Sequence, residues 1–455
     1  MCESRRRLRR AARTVFVARA LLCISALATL SAASRDAHAF TLCGDATGEG
    51  RVSATDALVT LTVAVSSEYR PELDLAAAET GEPPDGRVTA TDALRLLDAS
   101  VASAIPGCAA ADRSTAIVSS AACDFGTGGL AEVSVADLDV IDHRIGSVDA
   151  DSVVRVIDDR VFVINRFDGS SVQEIDLAND LSTLWRCSVG AGSNPHDLAL
   201  VAPNKAYVSR YDATSIAIVD PSVAPSCAGF VTGTIDLSDA ADADGIPEMD
   251  QMLLVGDRLF VAVQRLNRDD FFRPATNGAL VVVDTTTDEI VGTVELAISN
   301  PFAETKGLAY DQKNDRILVG GPGTLFSELD DGGIEAVDAT NLVSLGVLLD
   351  GADLGGELLD FAMLGSDRGY AIVADGTFVA HVVAIDLEAG LVGEPLLTSS
   401  QNVSDLEVSE DGRLWVVDRN CFDPGLRVFA VGTGVELTTE PIYPGLTPFN
   451  IDFAR

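Results

Sequence analysis

The sequence has few basic residues, and lysine is the scarcest of them. Its 455 residues include 69 Asp and Glu against 32 Lys and Arg, the formal net charge is −37, and the lysines are Lys205, Lys306 and Lys313. Nucleic acids and anionic membrane surfaces are bound through basic footprints. The composition therefore argues against both as partners and favours divalent cations.

The sequence also lacks the short motifs of common enzymes. It contains no Gly-x-Ser-x-Gly elbow, no His-Glu-x-x-His zinc motif and no nucleotide-binding glycine-rich loop. Only four histidines are present, and we interpret His196 as structural despite the adjacent Asp197. These absences favour a non-catalytic protein and leave an enzyme as the alternative.

The N-terminus has the three regions of an export signal. Arginines from Arg5 to Arg13 precede an apolar run, and Ala37-His38-Ala39 ends the segment. This order predicts a signal peptide over residues 1–39, of the ordinary or the twin-arginine type. Its removal takes away eight arginines and two acids and moves the formal charge from −37 to −43. No later run is long enough to span a membrane, so we expect a secreted bacterial protein that is extracellular, periplasmic or on the cell surface.

An acidic loop occurs twice after the signal, and each copy leads into a helical pattern. Gly50 and Asp56 of the first copy correspond to Gly86 and Asp92 of the second. A calcium loop places oxygen donors at positions 1, 3, 5, 7, 9 and 12 and a glycine at position 6. The first copy supplies Asp45, Thr47, Glu49, the carbonyl of Arg51, Ser53 and Asp56, and the second supplies Asp85, the carbonyl of Arg87, Thr89 and Asp92.

This duplicated segment resembles the dockerin family, in which each loop ends with aspartate and leads into a helix. The resemblance covers residues 43–108 and implies Ca²⁺ as the cofactor and a cohesin-like or cell-surface protein as the partner. The second copy departs from the pattern, because Gly81 and Pro83 stand at positions 1 and 3. We therefore expect one occupied calcium site and one that is weak or empty.

From residue 112 to residue 455 the pattern changes to short β-rich runs that recur about every 40 to 50 residues, a period typical of propeller blades. Thr447–Phe453 is similar to Asn194–Leu200 but ends the chain, so we expect the last strand to complete the first blade. This part resembles the seven-bladed lactonase-like or YVTN-type propellers. The predicted fold is mainly β, a β-propeller of about seven blades preceded by a small α-helical dockerin-like calcium-binding module at residues 40–110.

The cysteines fit this layout in pairs. Six remain after removal of the signal, an even number that indicates disulfides in an exported chain. Cys43 and Cys108 bracket the dockerin-like module. In the propeller, Cys123 and Cys421 fall in the first and last blades, and Cys187 and Cys227 fall on outer strands of consecutive blades. We predict these three pairings.

Polar residues stand just before the innermost strands and are expected to converge at the mouth of the central channel. They are Asp197, Gln251, Asp360, Asp405 and Asn450. Such a ring could hold calcium or a sugar-like ligand, although aspartate and asparagine are also ordinary turn residues. We expect an exported binding protein whose propeller binds protein or glycan, and the alternative is a lactonase-like or polysaccharide-degrading hydrolase tethered by the dockerin-like module.

Overall fold

A computed structural model describes residues 54–66, 93–97 and 115–454, apart from positions 158, 224, 327, 328, 330 and 378. Helix α1 spans Ala54–Ser66, and residues 93–97 are also helical. Both segments lie where helices were predicted after the acidic loops. Asp56 is buried in the first turn of α1.

The remaining predictions for this region lie outside the described residues. They concern the signal peptide, the pairing of Cys43 with Cys108, and the other calcium ligands, namely Asp45, Thr47, Glu49, Arg51, Ser53, Asp85, Arg87, Thr89 and Asp92. Calcium binding and the limits of the dockerin-like module therefore stay predictions.

Residues 115–454 form a seven-bladed β-propeller of antiparallel sheets. Blades 1 to 3 contain β1 (Thr115–Ala121), β2 (Gly128–Ser134) and β3 (Val140–Ile145); β4 (Ser152–Ile157), β5 (Arg160–Asn165), β6 (Ser171–Asp176) and β7 (Ser182–Ser188); and β8 (Pro195–Ala202), β9 (Lys205–Arg210), β10 (Ser215–Val219) and β11 (Val231–Asp236). Blades 4 and 5 contain β12 (Met249–Val255), β13 (Arg258–Val263), β16 (Ala279–Asp284) and β17 (Glu289–Glu295), with the hairpin β14 (Leu266–Asn267) and β15 (Arg273–Pro274); and β18 (Leu308–Asp311), β19 (Arg316–Gly321), β20 (Gly333–Asp338) and β21 (Val343–Asp350). Blades 6 and 7 contain β22 (Glu357–Met363), β23 (Arg368–Ala374), β24 (Ala380–Asp386), β25 (Leu391–Val392) and β26 (Leu397–Ser399); and β27 (Val403–Val408), β28 (Arg413–Asp418) and β29 (Gly425–Ala430). Helix α2 (Gly351–Leu354) precedes blade 6.

The last strand closes the ring, as predicted. Strand β30 (Thr447–Ala454) pairs with β1 and becomes the innermost strand of blade 1. A disulfide between Cys123 and Cys421, with Cα atoms 6.1 Å apart, joins blades 1 and 7 at this seam. Closure in this way gives β1 a partner on both sides, so that strand has no open edge.

The second disulfide joins Cys187 to Cys227 across blades 2 and 3, with Cα atoms 5.4 Å apart. The pairing agrees with the prediction, but the predicted position of Cys227 was wrong. Cys187 lies on the outermost strand β7, whereas Cys227 lies in the long loop between β10 and β11. Both disulfides are compatible with an oxidising compartment.

The core lies between the blades. Seven apolar clusters are present, and each contains residues of two adjacent blades, so every sheet packs on both neighbours. The second strands are buried on both faces, as in the Val161–Ile164 stretch of β5, which explains their continuous apolar runs. Aspartates at the ends of third strands, such as Asp176, Asp284 and Asp338, accept a hydrogen bond from the backbone N–H two residues later and form the turns. No described helix is long and apolar enough to cross a bilayer.

Candidate functional site: the central channel and its mouth

The five predicted channel residues lie within the innermost strands, not before them. Each is at or next to a register shift, where two residues of the innermost strand oppose one of its neighbour. Such a bulge re-aims a side chain. The five residues are Asp197 on β8, Gln251 on β12, Asp360 on β22, Asp405 on β27 and Asn450 on β30.

Three of these side chains join one blade to the next. Asp197 accepts a hydrogen bond from the N–H of Met252 at 2.8 Å, and Asp405 accepts one from the N–H of Ile451 at 2.7 Å. Asn450 accepts one from the N–H of Val154 at 2.5 Å. An innermost strand has no further strand on its channel side, so its buried donors need such partners.

Arg155 of β4 fills the centre of the channel and is almost completely buried. Its Nε donates to Asp197 at 2.7 Å and its Nη2 donates to Gln251 at 2.7 Å. Nη2 also contacts the carbonyl of Thr305, and Nη1 donates to the carbonyl of Val154 at 2.9 Å. Burial raises the pKa of Asp197, and the Arg155 guanidinium opposes that rise.

Thr305 joins two of the predicted carboxylates. Its Oγ1 lies 2.9 Å from Asp360 and 2.8 Å from Asp405. One hydroxyl has one proton to donate, so one of the two carboxyls must carry a proton of its own. Burial and the neighbouring Asp405 raise the pKa of Asp360 well above its usual range, and burial also raises the pKa of Asp405, so the proton belongs to the pair.

Lys306 supplies a second, partly buried cation. Its Nζ contacts Glu407 and lies 3.5 Å from Asp452. Burial raises the pKa of Glu407 to about 7, against the effect of Lys306 and with the help of Asp405. The channel interior is therefore a packed network in which acids, amides and two cations bond one another.

The structure thus brings Asp197, Gln251, Asp360, Asp405 and Asn450 together, but their polar atoms are already used by the chain. Sequence reasoning missed the partner Arg155. The sequence does contain a signal for it, because Arg155 stands in the otherwise apolar run of β4. All but one of the residues of β4 are buried, and a buried arginine requires an acidic partner. Ligand binding by the five residues themselves is an untested prediction.

The mouth of the channel contains a second group of charges. Arg166 follows β5 and lies with its Cζ 5.0 Å from the centre of the Phe449 ring. Its Nε donates to Asp151 at 2.7 Å, and its Nη2 lies 3.4 Å from Glu304. These two acids raise the pKa of Arg166 against the effect of burial. Arg166 is therefore a paired cation.

Arg419, which follows β28, is different. Its Cζ lies 4.6 Å from the centre of the Phe449 ring and 4.8 Å from that of Phe125. Its Nε is buried and has no hydrogen-bond partner among the described residues. Burial lowers the pKa of Arg419 and the nearby Arg166 adds to this fall, whereas Glu304 and Asp151 oppose it. The guanidinium contacts two aromatic rings, and no acid among the described residues forms an ion pair with it.

His196 and Asp250 form a third feature of the mouth. His196 Nδ1 lies 2.7 Å from Asp250 Oδ1, and the imidazole stacks on Tyr211 with ring centroids 4.5 Å apart. Asp250 is fully buried, and its Oδ2 has no hydrogen-bond partner among the described residues. A buried carboxylate that fixes an imidazole is the arrangement that orients a general base.

Metal ligands are not grouped in the part of the chain that the structure describes. Within residues 54–66, 93–97 and the propeller, no three His, Cys, Asp or Glu side chains lie together in a way that could hold a metal ion. Asp56 is the one predicted calcium ligand among them, and it lies at the helix start, where position 12 of a calcium loop belongs.

Comparison with known proteins supports the fold. A candidate 6-phosphogluconolactonase from Bacteroides fragilis aligns over 76% of this chain and 99% of its own, with a TM-score of 0.51 and 12% identity. BamB from Moraxella catarrhalis aligns over 68% of this chain and 80% of its own, with a TM-score of 0.39 and 15% identity. Hydrazine synthase of Kuenenia stuttgartiensis covers 69% of this chain and 94% of its own, with a TM-score of 0.49 and 15% identity. No protein-family model matches the sequence, and no curated protein matches it. At such identities the likeness concerns the propeller fold alone.

Proposed function

We propose that the protein is an exported binding protein whose propeller binds a carboxylate-bearing ligand at the mouth of its channel. The observation that carries this proposal is the guanidinium of Arg419, which is partly desolvated, lies between Phe125 and Phe449, and has a buried Nε without a partner among the described residues. A buried donor without an acceptor is costly, and a carboxylate is the acceptor that matches a guanidinium best.

The surroundings of Arg419 favour an external carboxylate. Arg166 lies close enough to lower the pKa of Arg419, and an incoming anion would relieve the repulsion between the two guanidinium groups. The nearby Glu304 is already bonded to Arg166. In this proposal the duplicated calcium loops at residues 40–110 attach the propeller to a cohesin-like or cell-surface protein, and the ligand is a glycan that contains a uronic acid.

The test uses D-glucuronate and D-glucose, which differ in the carboxylate, and calorimetry on the full chain. We expect binding of glucuronate with at least tenfold preference over glucose, and a loss of that preference in Arg419→Gln. Arg368→Gln is the matched control, because Arg368 is a half-exposed arginine at the start of β23, on the opposite face. Equal affinity for the two sugars, or an unchanged preference in Arg419→Gln, would refute the proposal.

The second candidate is a lactone or ester hydrolase, and the pairing of His196 with Asp250 favours it. In that reaction His196 would take a proton from water through Nε2, and Asp250 would hold the imidazole in position. A lactone screen separates the candidates. Turnover that disappears in His196→Gln and falls on the acid side of a pH profile would establish the hydrolase, whereas the binding proposal expects no turnover.

A further inference from the structure

Exposed phenylalanines are repeated on one face of the propeller. Among the described residues, the loop between the second and third strands counted from the channel carries at least one in five of the seven blades. Five such residues are Phe125, Phe167, Phe271, Phe326 and Phe422. Phe271 is 91% exposed and Phe422 is 88% exposed. Neighbouring strands run in opposite directions, so the end of each second strand lies beside the start of the innermost strand. The loops that follow the second strands therefore lie on the face that contains the channel mouth. We call these five residues the aromatic crown.

The backbone of the crown is unusual as well. Phe125, Phe167, Phe271 and Phe326 have φ angles of 55°, 47°, 54° and 61°. This left-handed region is favoured by glycine and asparagine and is rare for bulky residues. Exposure and backbone conformation therefore both disfavour phenylalanine at these positions, and strain of this kind clusters at functional sites.

The exposed charged side chains of the crown loops are mostly acidic, with Arg273 as an exposed cation among the described residues. Asp124 precedes Phe125, Asp168 follows Phe167, Asp270 precedes Phe271, and Asp423 follows Phe422. Each of these loops thus presents an aromatic ring beside a carboxylate. The formal charge of −37 for the whole chain has the same sign. A cation that stacks on a ring and pairs with the adjacent acid would complement this surface.

The chain itself uses this combination on the same face. The guanidinium of Arg268 lies 5.5 Å from the centre of the Tyr211 ring and 5.7 Å from that of Phe272, and its Nη1 donates to Asp212 at 2.6 Å. Tyr211 occupies the crown position of blade 3. The internal arginine shows which external group the other rings fit.

We propose that the aromatic crown docks an arginine-containing basic segment of a partner protein. Guanidinium groups of that segment lie over the exposed rings and pair with the neighbouring carboxylates. A groove of about 730 Å³ beside Phe422 is lined also by Asp423, Glu440 and Tyr443. Arg427 lines it too and lies 3.2 Å from Asp423, so Glu440 is the carboxylate there that an incoming guanidinium would meet. Exposed aromatic residues are the type of side chain that dominates binding energy in protein interfaces.

Other occupants fit less well. An anionic membrane would be repelled by the carboxylates beside the rings. A zwitterionic membrane or a neutral glycan could contact the rings but would gain no net Coulombic attraction from those acids. Charge complementarity therefore favours the basic polypeptide.

The test measures binding of a fluorescent deca-arginine peptide to the full chain by anisotropy. The crown variant combines Phe167→Asn, Phe271→Asn, Phe326→Asn and Phe422→Asn. Asparagine tolerates positive φ, so the melting temperature should stay the same or rise. The control variant removes four exposed apolar side chains from outermost strands, with Ile141→Thr, Leu184→Thr, Val343→Thr and Leu391→Thr.

We expect the dissociation constant of deca-arginine to rise at least tenfold in the crown variant and less than twofold in the control. Deca-lysine should bind the original chain more weakly than deca-arginine, because arginine stacks better on aromatic rings.

Equal weakening in the two variants, or none, would mean that charge alone attracts the peptide and would overturn the proposal. Phe-dependent binding of soluble xylan or phosphatidylcholine vesicles instead of the peptide would overturn it too. If the crown variant does not fold, Phe271→Asn and Phe422→Asn alone give the same comparison.

Discussion

The interior and the mouth of the channel contain the same kinds of side chain but use them in opposite ways. In the interior, Arg155 is bonded to Asp197, Gln251 and two carbonyl oxygens. At the mouth, Arg419 has aromatic neighbours and a buried Nε without a partner among the described residues. A buried cation whose donors are bonded within the chain holds blades together. In the proposed function, a cation with an unbonded donor is available to a ligand.

This difference also explains why buried carboxylates with raised pKa values need not indicate catalysis here. The pKa of Asp360 is raised by burial and by Asp405, a pattern that active sites also show. Yet both carboxyls bond Thr305 in the packed interior. Asp360 and Asp405 are almost completely buried, so chemistry is better sought at the mouth.

The largest expected effect is that of Arg155→Met on stability. The substitution leaves Asp197 buried without its cation, and breaking a buried pair in this way costs about 4 kcal/mol. Urea unfolding of the full chain measures the loss. Asp197→Asn added to Arg155→Met should recover part of the stability, because it removes the unpaired charge.

The control for this prediction is Lys205→Met. Lys205 pairs with Asp288 at 2.7 Å, but both side chains are partly exposed, and such pairs contribute less than about 1 kcal/mol. Equal losses for Arg155→Met and Lys205→Met would show that the channel network does not join the blades.

The second prediction concerns pH. The pKa of Glu407 is raised from its usual 4.5 to about 7, first by burial. Between these values the folded chain holds a proton that the unfolded chain has released, so this group makes the free energy of unfolding fall as pH rises. The shift corresponds to about 3 kcal/mol. Unfolding of the original chain and of Glu407→Gln at pH 4.5 and 7.5 measures it.

In that experiment the free energy of unfolding of the original chain, relative to that of Glu407→Gln, should decrease by about 3 kcal/mol from pH 4.5 to 7.5. The difference in unfolding free energy between the two chains isolates Glu407. Burial also raises the pKa of Glu248 to about 7, but Glu248 contributes equally to both chains. Parallel pH curves would show that the pKa of Glu407 is the same in the folded and the unfolded chain and that Lys306 offsets the effect of burial.

A third, smaller effect is expected for Thr305→Val. The substitution keeps the shape but removes the hydroxyl that joins Asp360 to Asp405, and leaving buried polar groups unbonded costs about 2 kcal/mol. Thr232→Val is the control, since Thr232 is exposed and its hydroxyl bonds only the carbonyl of Ile218 in the described contacts. A loss no larger than that of the control would contradict the proposed link between the two carboxyls.

The sequence predicts the strand framework because local chemistry determines it. Apolar runs that end in aspartate mark the strands and turns, and the partial repeat at residues 447–453 predicts ring closure. The polar positions on the innermost strands are predictable for the same reason. Their contacts are not, because a bulge decides where Asp197 or Asn450 points, and the bonded groups belong to other blades far along the chain.

The mouth was harder to predict for a related reason. Arg419 becomes unusual only when Phe125 and Phe449, from the two ends of the propeller sequence, are brought against it. The pairing of His196 was hard to predict as well, because its carboxylate partner is Asp250 and not the adjacent Asp197. In both arrangements the residues in contact are far apart in the sequence, so the sequence alone does not predict the contact.

The smallest expected change is that of Arg419→Met on stability, and it completes the comparison with Arg155→Met. Burial and Arg166 already disfavour the charge of Arg419, and methionine keeps much of the contact with Phe125 and Phe449. Replacing a desolvated charge by an apolar side chain of similar length is often neutral or stabilising, so we expect the free energy of unfolding to change by less than about 1 kcal/mol in either direction. A loss as large as that of Arg155→Met in the same urea experiment would mean that Arg419 is a further structural cation, and the distinction between a saturated interior and an available mouth would fail.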